Sequence, residues 1–400
     1  MSKKLNGGGP GVWLLNLLSS SGLACVLLIF LLYLTWAGTL AQVDTTLFQA
    51  QKRYFESFYL VEWLGPLPVP LPGGQLVLYL LGVNLILGGI VRVRWTLGNI
   101  GILIAHVGIV LLLVAGFVRY MYAVEGTYRA FEGESRSDFV SRSDWEVAIG
   151  EPLAGGQVKE FSVPGDWFIR LEGSEKAELT SPELPFDLTL SRFMENARPR
   201  QVKDGAMPPE QVVDGFWLEE IDPFTDDQPD CPGLFMEARD RKSGQTIPGL
   251  LWANMRLLDD YQVPLTLTVS GRPFTVQLRR KLIPLGFDLK LEKFTMSEHP
   301  GTMMARDYRS RVTAADGGLE QTVEIKMNEP LRYGDYILYQ SSYGPQPPIP
   351  NMPMFTVLSV ASNPSDQWPL WSCVVIAIGL VLHYVMKLLK YTRSQQVRLS

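Results

Sequence analysis

The sequence predicts an integral membrane protein with four transmembrane α-helices and one large, mainly β extracytoplasmic domain. Four apolar stretches of about 20 residues each have the length needed to cross a hydrocarbon core of roughly 30 Å. A long, charged stretch with short alternating runs separates the third of them from the fourth. With 46% hydrophobic and 19% charged residues, the composition fits membrane helices combined with a sizeable water-exposed part.

The membrane helices are predicted from the apolar runs and the residues that close them. The first is too long for a removable signal peptide and lacks a small-residue cleavage site. The aromatic-rich loop after it, with PLPVPLP at residues 66–72, suits a membrane interface or is simply a packed loop. The predicted helices are residues 22–42, 73–91, 99–120 and 368–390, followed by a tail at 391–400.

The orientation of the helices is predicted from charge. The N-terminal tail, the loop after the second helix and the C-terminal tail carry basic residues and no acidic ones. Basic loops stay on the cytoplasmic side, so we expect both termini in the cytoplasm of a multi-pass plasma-membrane protein. The region between the third and fourth helices, which is acidic on balance, is then extracytoplasmic. This asymmetry reports topology, and nothing in it indicates nucleic-acid binding.

Residues 121–367 are predicted to form the β domain. Runs such as PLTLTVSG and QTVEIKMNEPLRYGDYILYQSSY alternate polar and apolar residues, with turn residues between them. Ser243-Gly244 and Asp316-Gly317 are typical of hairpin tips. No stretch of clear helical periodicity is visible in this region.

The β region contains an internal repeat of the form F-D-L-x-L-x-basic-F, at residues 186–193 and again at 287–294. The two phenylalanines of each copy are an odd number of residues apart, so a regular strand would place them on opposite faces unless a bulge intervenes. Each copy is followed by an Asp-Gly turn signal, at 204–205 and 316–317. The repeat indicates a duplicated β unit, with a chance match as the alternative.

His106 is the first candidate for chemistry, because it lies in the middle of the third apolar stretch with no other ionisable group before Arg119. Such a residue is costly in a membrane and faces a partner, a cavity or a cofactor. One interpretation is a neutral imidazole hydrogen-bonded to a neighbouring helix. The other is axial ligation of haem iron or another metal through the free ring nitrogen.

The chain has two other histidines, His299 and His383. His383 is the second cofactor-binding candidate, predicted to lie in the same half of the bilayer as His106 but about 8 Å away in depth. An interfacial histidine that reaches water is the simpler interpretation of it. His299 is typical of a surface loop. The tyrosines at residues 333–343 either line a binding surface or pack a sheet face.

Several function classes are disfavoured. Cys25, Cys231 and Cys373 form no CxxC motif, which argues against thiol exchange, haem attachment to this chain and a cysteine zinc site. Two membrane histidines ligate at most one haem, so an electron-conducting haem ladder within the chain is excluded. No phosphate loop, catalytic triad or metal-ligand spacing is present, so no catalytic residue is predicted. A small-solute transporter is disfavoured by the single well-buried ionisable group.

A set of short motifs in a fixed order resembles the ResB (CcsB) family of cytochrome c biogenesis proteins. The motifs are GTLAQ at 38–42, YFESF at 54–58, His106, PGT at 300–302, N-x-P-L-x-Y-G at 328–334 and YQSSY at 339–343. The resemblance covers nearly the whole chain, including three helices, a large outer domain and one last helix.

The resemblance implies the B-type subunit of a System II cytochrome c synthetase, in which His106 is an axial ligand of haem b. It also implies a membrane partner of the CcsA/ResC type, with a tryptophan-rich segment that this chain lacks, and apocytochrome c as the recipient. The chain would then be at most a non-autonomous part of a haem lyase. The alternative is a non-catalytic scaffold for cytochrome c assembly in which His106 is structural.

Overall fold

The structure is a computed structural model, and it describes residues 9–171, 175–202, 211–222, 230–253, 263–301, 305–346 and 352–399. The chain divides into two compact units. One comprises Met1–Ala123 together with Asn363–Ser400, and the other is Val124–Ser362. The first contains the α-helices and the second is built from strands.

The membrane unit has four long apolar helices, as predicted. Its helices are α1 (Pro10–Leu18), α2 (Ser21–Ala41), α3 (Leu47–Ala50), α4 (Gly74–Asn84), α5 (Ile100–Tyr122) and α6 (Trp368–Leu399). A π-helical turn, Gln51–Phe55, follows α3, and a second π-helical segment, Leu85–Val91, continues α4. The helices long and apolar enough to cross a membrane are Ser21–Ala41, Gly74–Val91, Leu97–Tyr122 and Trp368–Gln395.

Helix α1 is an element that the sequence analysis does not predict. It begins at Pro10, where the missing N–H of proline costs nothing in the first turn. The break before α2 is capped by Ser20, whose Oγ accepts from the amide of Leu23 at 3.1 Å. Asn84 of α4 donates to the carbonyls of Leu18 and Ser20 at 2.7 and 2.9 Å. The corner between α1 and α2 is therefore held against α4.

The predicted aromatic loop is instead a hairpin of two strands, β1 (Tyr59–Leu64) and β2 (Leu67–Pro72). Pro68, Pro70 and Pro72 lie opposite Trp63, Val61 and Tyr59. Because proline cannot donate to a ladder, the amides that pair with β1 belong to the residues between the prolines. The hydroxyl of Tyr54 donates to Glu62 beneath the hairpin at 2.7 Å, and burial with this bond raises the pKa of Tyr54 to about 12.

The β unit holds sixteen strands among its described residues, and its one helical element there is a 3-10 turn, Gly165–Trp167. The strands are β3 (Val124–Phe131), β4 (Ser135–Pro152), β5 (Val158–Pro164), β6 (Lys176–Leu179), β7 (Phe186–Met194), β8 (Ala197–Gln201), β9 (Phe216–Glu220), β10 (Gly233–Asp240), β11 (Thr246–Trp252), β12 (Leu265–Val269), β13 (Arg272–Glu298), β14 (Ala305–Asp316), β15 (Leu319–Lys326), β16 (Leu331–Tyr333), β17 (Tyr336–Gly344) and β18 (Phe355–Ser362).

Antiparallel pairing joins these strands into three sheets. The largest runs β15-β14-β13-β4-β3-β18-β17-β16, with β12 also paired to β13 and β5 to β4. A four-stranded sheet has the order β11-β10-β7-β6, and β8 pairs with β9. Strand β13 is 27 residues long and contributes to two separate hydrophobic cores, one around Phe274 and one around Leu289.

Both copies of the F-D-L repeat form strands, β7 and β13, and both contain a bulge before the second phenylalanine. In β7 the register shifts beside Arg192, which has a φ of 50°. In β13 it shifts between Leu291 and Lys293. The bulges bring both phenylalanines of each copy onto the core side, and Phe287 and Phe294 are each only 6% exposed.

The predicted hairpin tips are also observed. Gly244 has a φ of 72° between β10 and β11, and Gly317 has a φ of 54° between β14 and β15. The predicted turn at residues 204–205 lies outside the described residues. Backbone with positive φ favours glycine, which explains both signals in the sequence.

Candidate functional site

His106 lies on α5, on the face that meets the π-helical continuation of α4. Its Nδ1 is 2.7 Å from the carbonyl oxygen of Gly89. A carbonyl oxygen only accepts hydrogen bonds, so in this contact Nδ1 carries the proton and donates. Nε2 is then the ring nitrogen left to coordinate a metal ion. A backbone carbonyl on the other ring nitrogen is the usual support of a metal-ligating histidine.

Gly89 is at the point where only glycine allows this contact. A Cβ on Gly89 would lie 2.7 Å from Nδ1 of His106 and 2.9 Å from Leu85. Gly89 also belongs to the π-helical segment, Leu85–Val91, and π-helical turns within helices are frequent at functional sites. The local sequence LILGGIV therefore shapes a backbone that brings a carbonyl to the histidine.

The opposite side of α5 packs closely on α6 through small residues. A Cβ on Gly101 would lie 2.4 Å from the amide of His383, and one on Gly379 would lie 2.5 Å from the amide of Ala105. Gly108 meets the backbone of α6 at Ser372 and Ile376 in the same way. Small residues at these positions let two membrane helices approach backbone to backbone.

This packing fixes where His383 lies relative to His106. His383 is level with Gly101 on the neighbouring helix, five residues from His106, which corresponds to about 7.5 Å along the helix axis. Five residues also correspond to a rotation of roughly 140° around α5. The two candidate histidines are therefore on different sides of α5 and do not form a pair of facing ligands.

The ring of His383 is half-buried, and its Nδ1 is shielded from solvent with no hydrogen-bond partner in the part of the chain that the structure describes. Its ring contacts that of Tyr384, with ring centroids 5.5 Å apart. A shielded, unpartnered ring nitrogen is costly in an apolar environment. His383 thus has an unsatisfied polar atom, whereas His106 has its support in place.

An apolar groove of about 650 Å³ begins one turn above His106, between α4 and α5. Val110, Leu113 and Phe117 follow His106 at helical spacing along one face of α5 and line this groove. The other wall comes from Gly82 on α4 and from Ile86 on the π-helical segment that continues α4 to Gly89. The groove is therefore a continuation of the histidine-bearing face of α5.

The remaining sequence candidates are in the β unit. His299 is exposed in the turn that follows β13. The tyrosines pack a sheet face: Tyr333 contacts Phe287 with centroids 4.6 Å apart, and Tyr343 stacks on Phe294 at 5.1 Å. Tyr339 is 40% exposed. Of the two interpretations of this cluster, packing accounts for most of it.

A protein-family model described as the ResB-like family matches residues 266–353. This part of the chain is ResB-like. A search of curated proteins gives no match. Within residues 266–353 the match confirms the resemblance stated from the sequence, and the ResB-like family implies a role in cytochrome c biogenesis. It covers β12 to the end of β17, so it includes three of the motifs but not His106.

The motifs within the ResB-like stretch have structural explanations. In N-x-P-L-x-Y-G, Asn328 and Gly334 both have positive φ, at 65° and 57°, and Leu331 is 3% exposed in the core. In YQSSY, Gln340 accepts from Ser310 at 2.6 Å and donates to Thr356 at 3.0 Å, beside a bulge in β17. These residues define the fold of the ResB-like stretch. PGT is only partly within the described residues.

Sequence reasoning identifies His106 but misses what supports it. The Gly89 carbonyl is 17 residues away and comes from an apolar segment with no polar side chain to signal it. The consecutive glycines at 88 and 89 are the one visible signal. Both are forced by close contacts, since a Cβ on Gly88 would lie 2.7 Å from the carbonyl oxygen of Ser19.

Proposed function

We propose that this chain is a subunit of a cytochrome c synthetase complex, in which His106 is an axial ligand of haem b in the membrane. The observation that carries the proposal is the contact between Nδ1 of His106 and the carbonyl oxygen of Gly89 at 2.7 Å. It leaves Nε2 as the ring nitrogen for ligation and fixes the ring orientation before any ligand binds.

The residues around His106 fit haem in chemistry as well. Its neighbours on α5 are Ala105 and Val107, which offer no competing donor or charge. Bound haem would supply the vinyl groups to which cytochrome c thiols are joined, while this chain supplies the iron ligand and its orientation.

A second axial ligand would come from another subunit. His383 is on the other side of α5, about 7.5 Å along the axis from His106, and is not placed to complete the pair. We assign the second ligand to a CcsA/ResC-type membrane partner. Apocytochrome c is the proposed recipient on the extracytoplasmic side, where the basic termini of this chain would leave its β unit.

The test is the visible spectrum of the full-length protein purified with its partner. Replacing His106 by Ala removes the only donor atom that this part of α5 offers, so we expect loss of the Soret band and of cytochrome c maturation with normal membrane insertion. Added imidazole should restore part of the haem to a His106→Gly variant, because the small ligand fits the vacated space.

Two further variants separate ligation from support. Gly89→Ala places a methyl group against Nδ1, so haem content should fall although His106 is still present. His383→Ala is the control and should keep its haem. If His106→Gln keeps both haem and maturation, His106 only joins two helices and the chain is a scaffold for cytochrome c assembly.

A further inference from the structure

The groove between α4 and α5 has walls that are apolar and a polar mouth at one end. Its mouth is formed by Glu56, Gln75, Tyr79 and Tyr120, at the end of the helices where α4 begins and α5 ends. From Val110 to Tyr120 the groove extends about 15 Å along α5. This length is half of a hydrocarbon core of roughly 30 Å, the depth of one lipid leaflet.

Two glycines keep this groove open without being needed for packing. A Cβ on Gly116 would meet nothing within 4 Å, and one on Gly82 would be in ordinary contact with Leu113 at 3.8 Å. Both line the groove, one on each wall. Glycine weakens a helix relative to alanine, so a helical glycine usually has a local reason. Close backbone contact is the reason at Gly101 and Gly379, but it is absent here.

The mouth has a carboxylate with no counter-charge. The described partner of Glu56 is Gln51, which donates to its Oε1 at 2.7 Å, and no ion pair to Glu56 is formed within the described residues. The hydroxyl of Tyr79 accepts from Gln75 at 3.4 Å. A carboxylate only accepts hydrogen bonds, so its complement is a cationic donor such as an ammonium group.

We propose that the groove binds one acyl chain of a phospholipid with an ammonium head group, phosphatidylethanolamine being the simplest. The chain lies between Gly82 and Gly116, and the ammonium group binds Glu56. Repulsion from Glu56 disfavours a ligand that places an acidic group at this mouth. The groove therefore differs from a site for the carboxylates of haem. The proposal depends on the helices lying in a membrane and not on haem binding.

The test uses the full-length protein exchanged into nanodiscs of equal phosphatidylethanolamine and phosphatidylglycerol, released into mild detergent and examined by native mass spectrometry. We expect the wild-type protein to retain one phosphatidylethanolamine. Gly116→Leu fills one wall and should lower that retention about tenfold, as should Gly82→Leu from the other wall. Gly11→Leu is the matched control, because Gly11 is also helical and has open space around it.

A second arm tests the head group. Glu56→Gln keeps the shape of the mouth but removes the charge, so the protein should retain the two lipids equally while total retention stays within about twofold. Thermal melting of each variant shows that it is folded. Equal retention by Gly116→Leu and Gly11→Leu would overturn the proposal, as would a Glu56→Gln protein that still selects phosphatidylethanolamine. Loss of partner binding with unchanged lipid would instead make the groove a helix-docking surface and the lipid assignment wrong.

Discussion

Both sides of α5 contain glycines, but the glycines have a different role on each side. On the side facing α6, glycines are in backbone contact with the neighbouring helix. On the side facing α4, His106 contacts the carbonyl of Gly89, and the groove lies next to this contact. The difference shows that a membrane helix can use glycine either to close an interface or to leave room beside it. The neighbouring atoms, and not the glycine itself, decide which.

The largest loss of stability is expected from a bulky substitution where α5 packs on α6. Gly379→Leu would drive a side chain into the backbone of Ala105 and Gly101, at 2.5 and 2.7 Å from the Cβ position. Overpacking against backbone that cannot move should cost about 3 kcal/mol or more. We expect a much lower melting temperature of the full-length protein in detergent. Ile378→Leu, at an adjacent and 50% exposed position, is the control. Equal melting of the two variants would show that α5 and α6 do not pack in this way.

A smaller loss of stability is expected from a substitution in α4, on the other side of α5. Asn84→Ala removes two hydrogen bonds to the carbonyls of Leu18 and Ser20. These bonds hold α4 against the corner between α1 and α2. Hydrogen bonds between membrane helices contribute about 0.6 to 2 kcal/mol each, so the melting temperature should fall, but by less than for Gly379→Leu. Gln75→Ala, at a partly exposed position of the same helix, serves as the control. A fall as large as that of Gly379→Leu would mean that side-chain hydrogen bonds, and not glycine packing, dominate this unit.

The smallest effect is expected at Ser372, which is fully buried beside Gly108. Its hydroxyl donates to the carbonyl of Trp368 on its own helix at 2.7 Å, and among the described residues it forms no hydrogen bond to a second helix. Ser372→Ala removes only this locally bonded hydroxyl, so it should change the free energy of unfolding by less than about 0.5 kcal/mol. A melting temperature as low as that of Asn84→Ala would show that this hydroxyl contributes to the interface.

Much of the fold can be predicted from local patterns. Four apolar runs give four long helices, and period-two alternation gives the strands. The F-D-L repeat could be anticipated as a bulged strand, because its odd phenylalanine spacing is compatible with one core face only after a bulge. What could not be predicted depends on distant contacts. Helix α1 needs the support of Asn84, 66 residues from Leu18, and is too short to be recognised by its own sequence.

The candidate site shows the same limit. His106 is visible in the sequence because an ionisable residue in an apolar run is unusual. Its supporting carbonyl and the groove above it cannot be read from side chains, since a carbonyl belongs to every residue. The separation of His383 from His106 along the helix axis was predicted, because it follows from counting residues. The side of α5 on which His383 lies was not predicted, because it depends on which face of α6 packs on Gly101.

The prolines of β2 have a consequence for extended polypeptides that approach the hairpin. The free edge of β2 presents Pro68, Pro70 and Pro72 outward, and none of them has an N–H group. An extended peptide that approaches this edge meets carbonyls but no donors, so it cannot add as a third strand. The β unit differs, because its large sheet ends in β15 and β16, whose sequences contain no proline. An extended chain is therefore excluded from pairing with the outer edge of β2, whereas the other edge strand of the hairpin, β1, contains no proline.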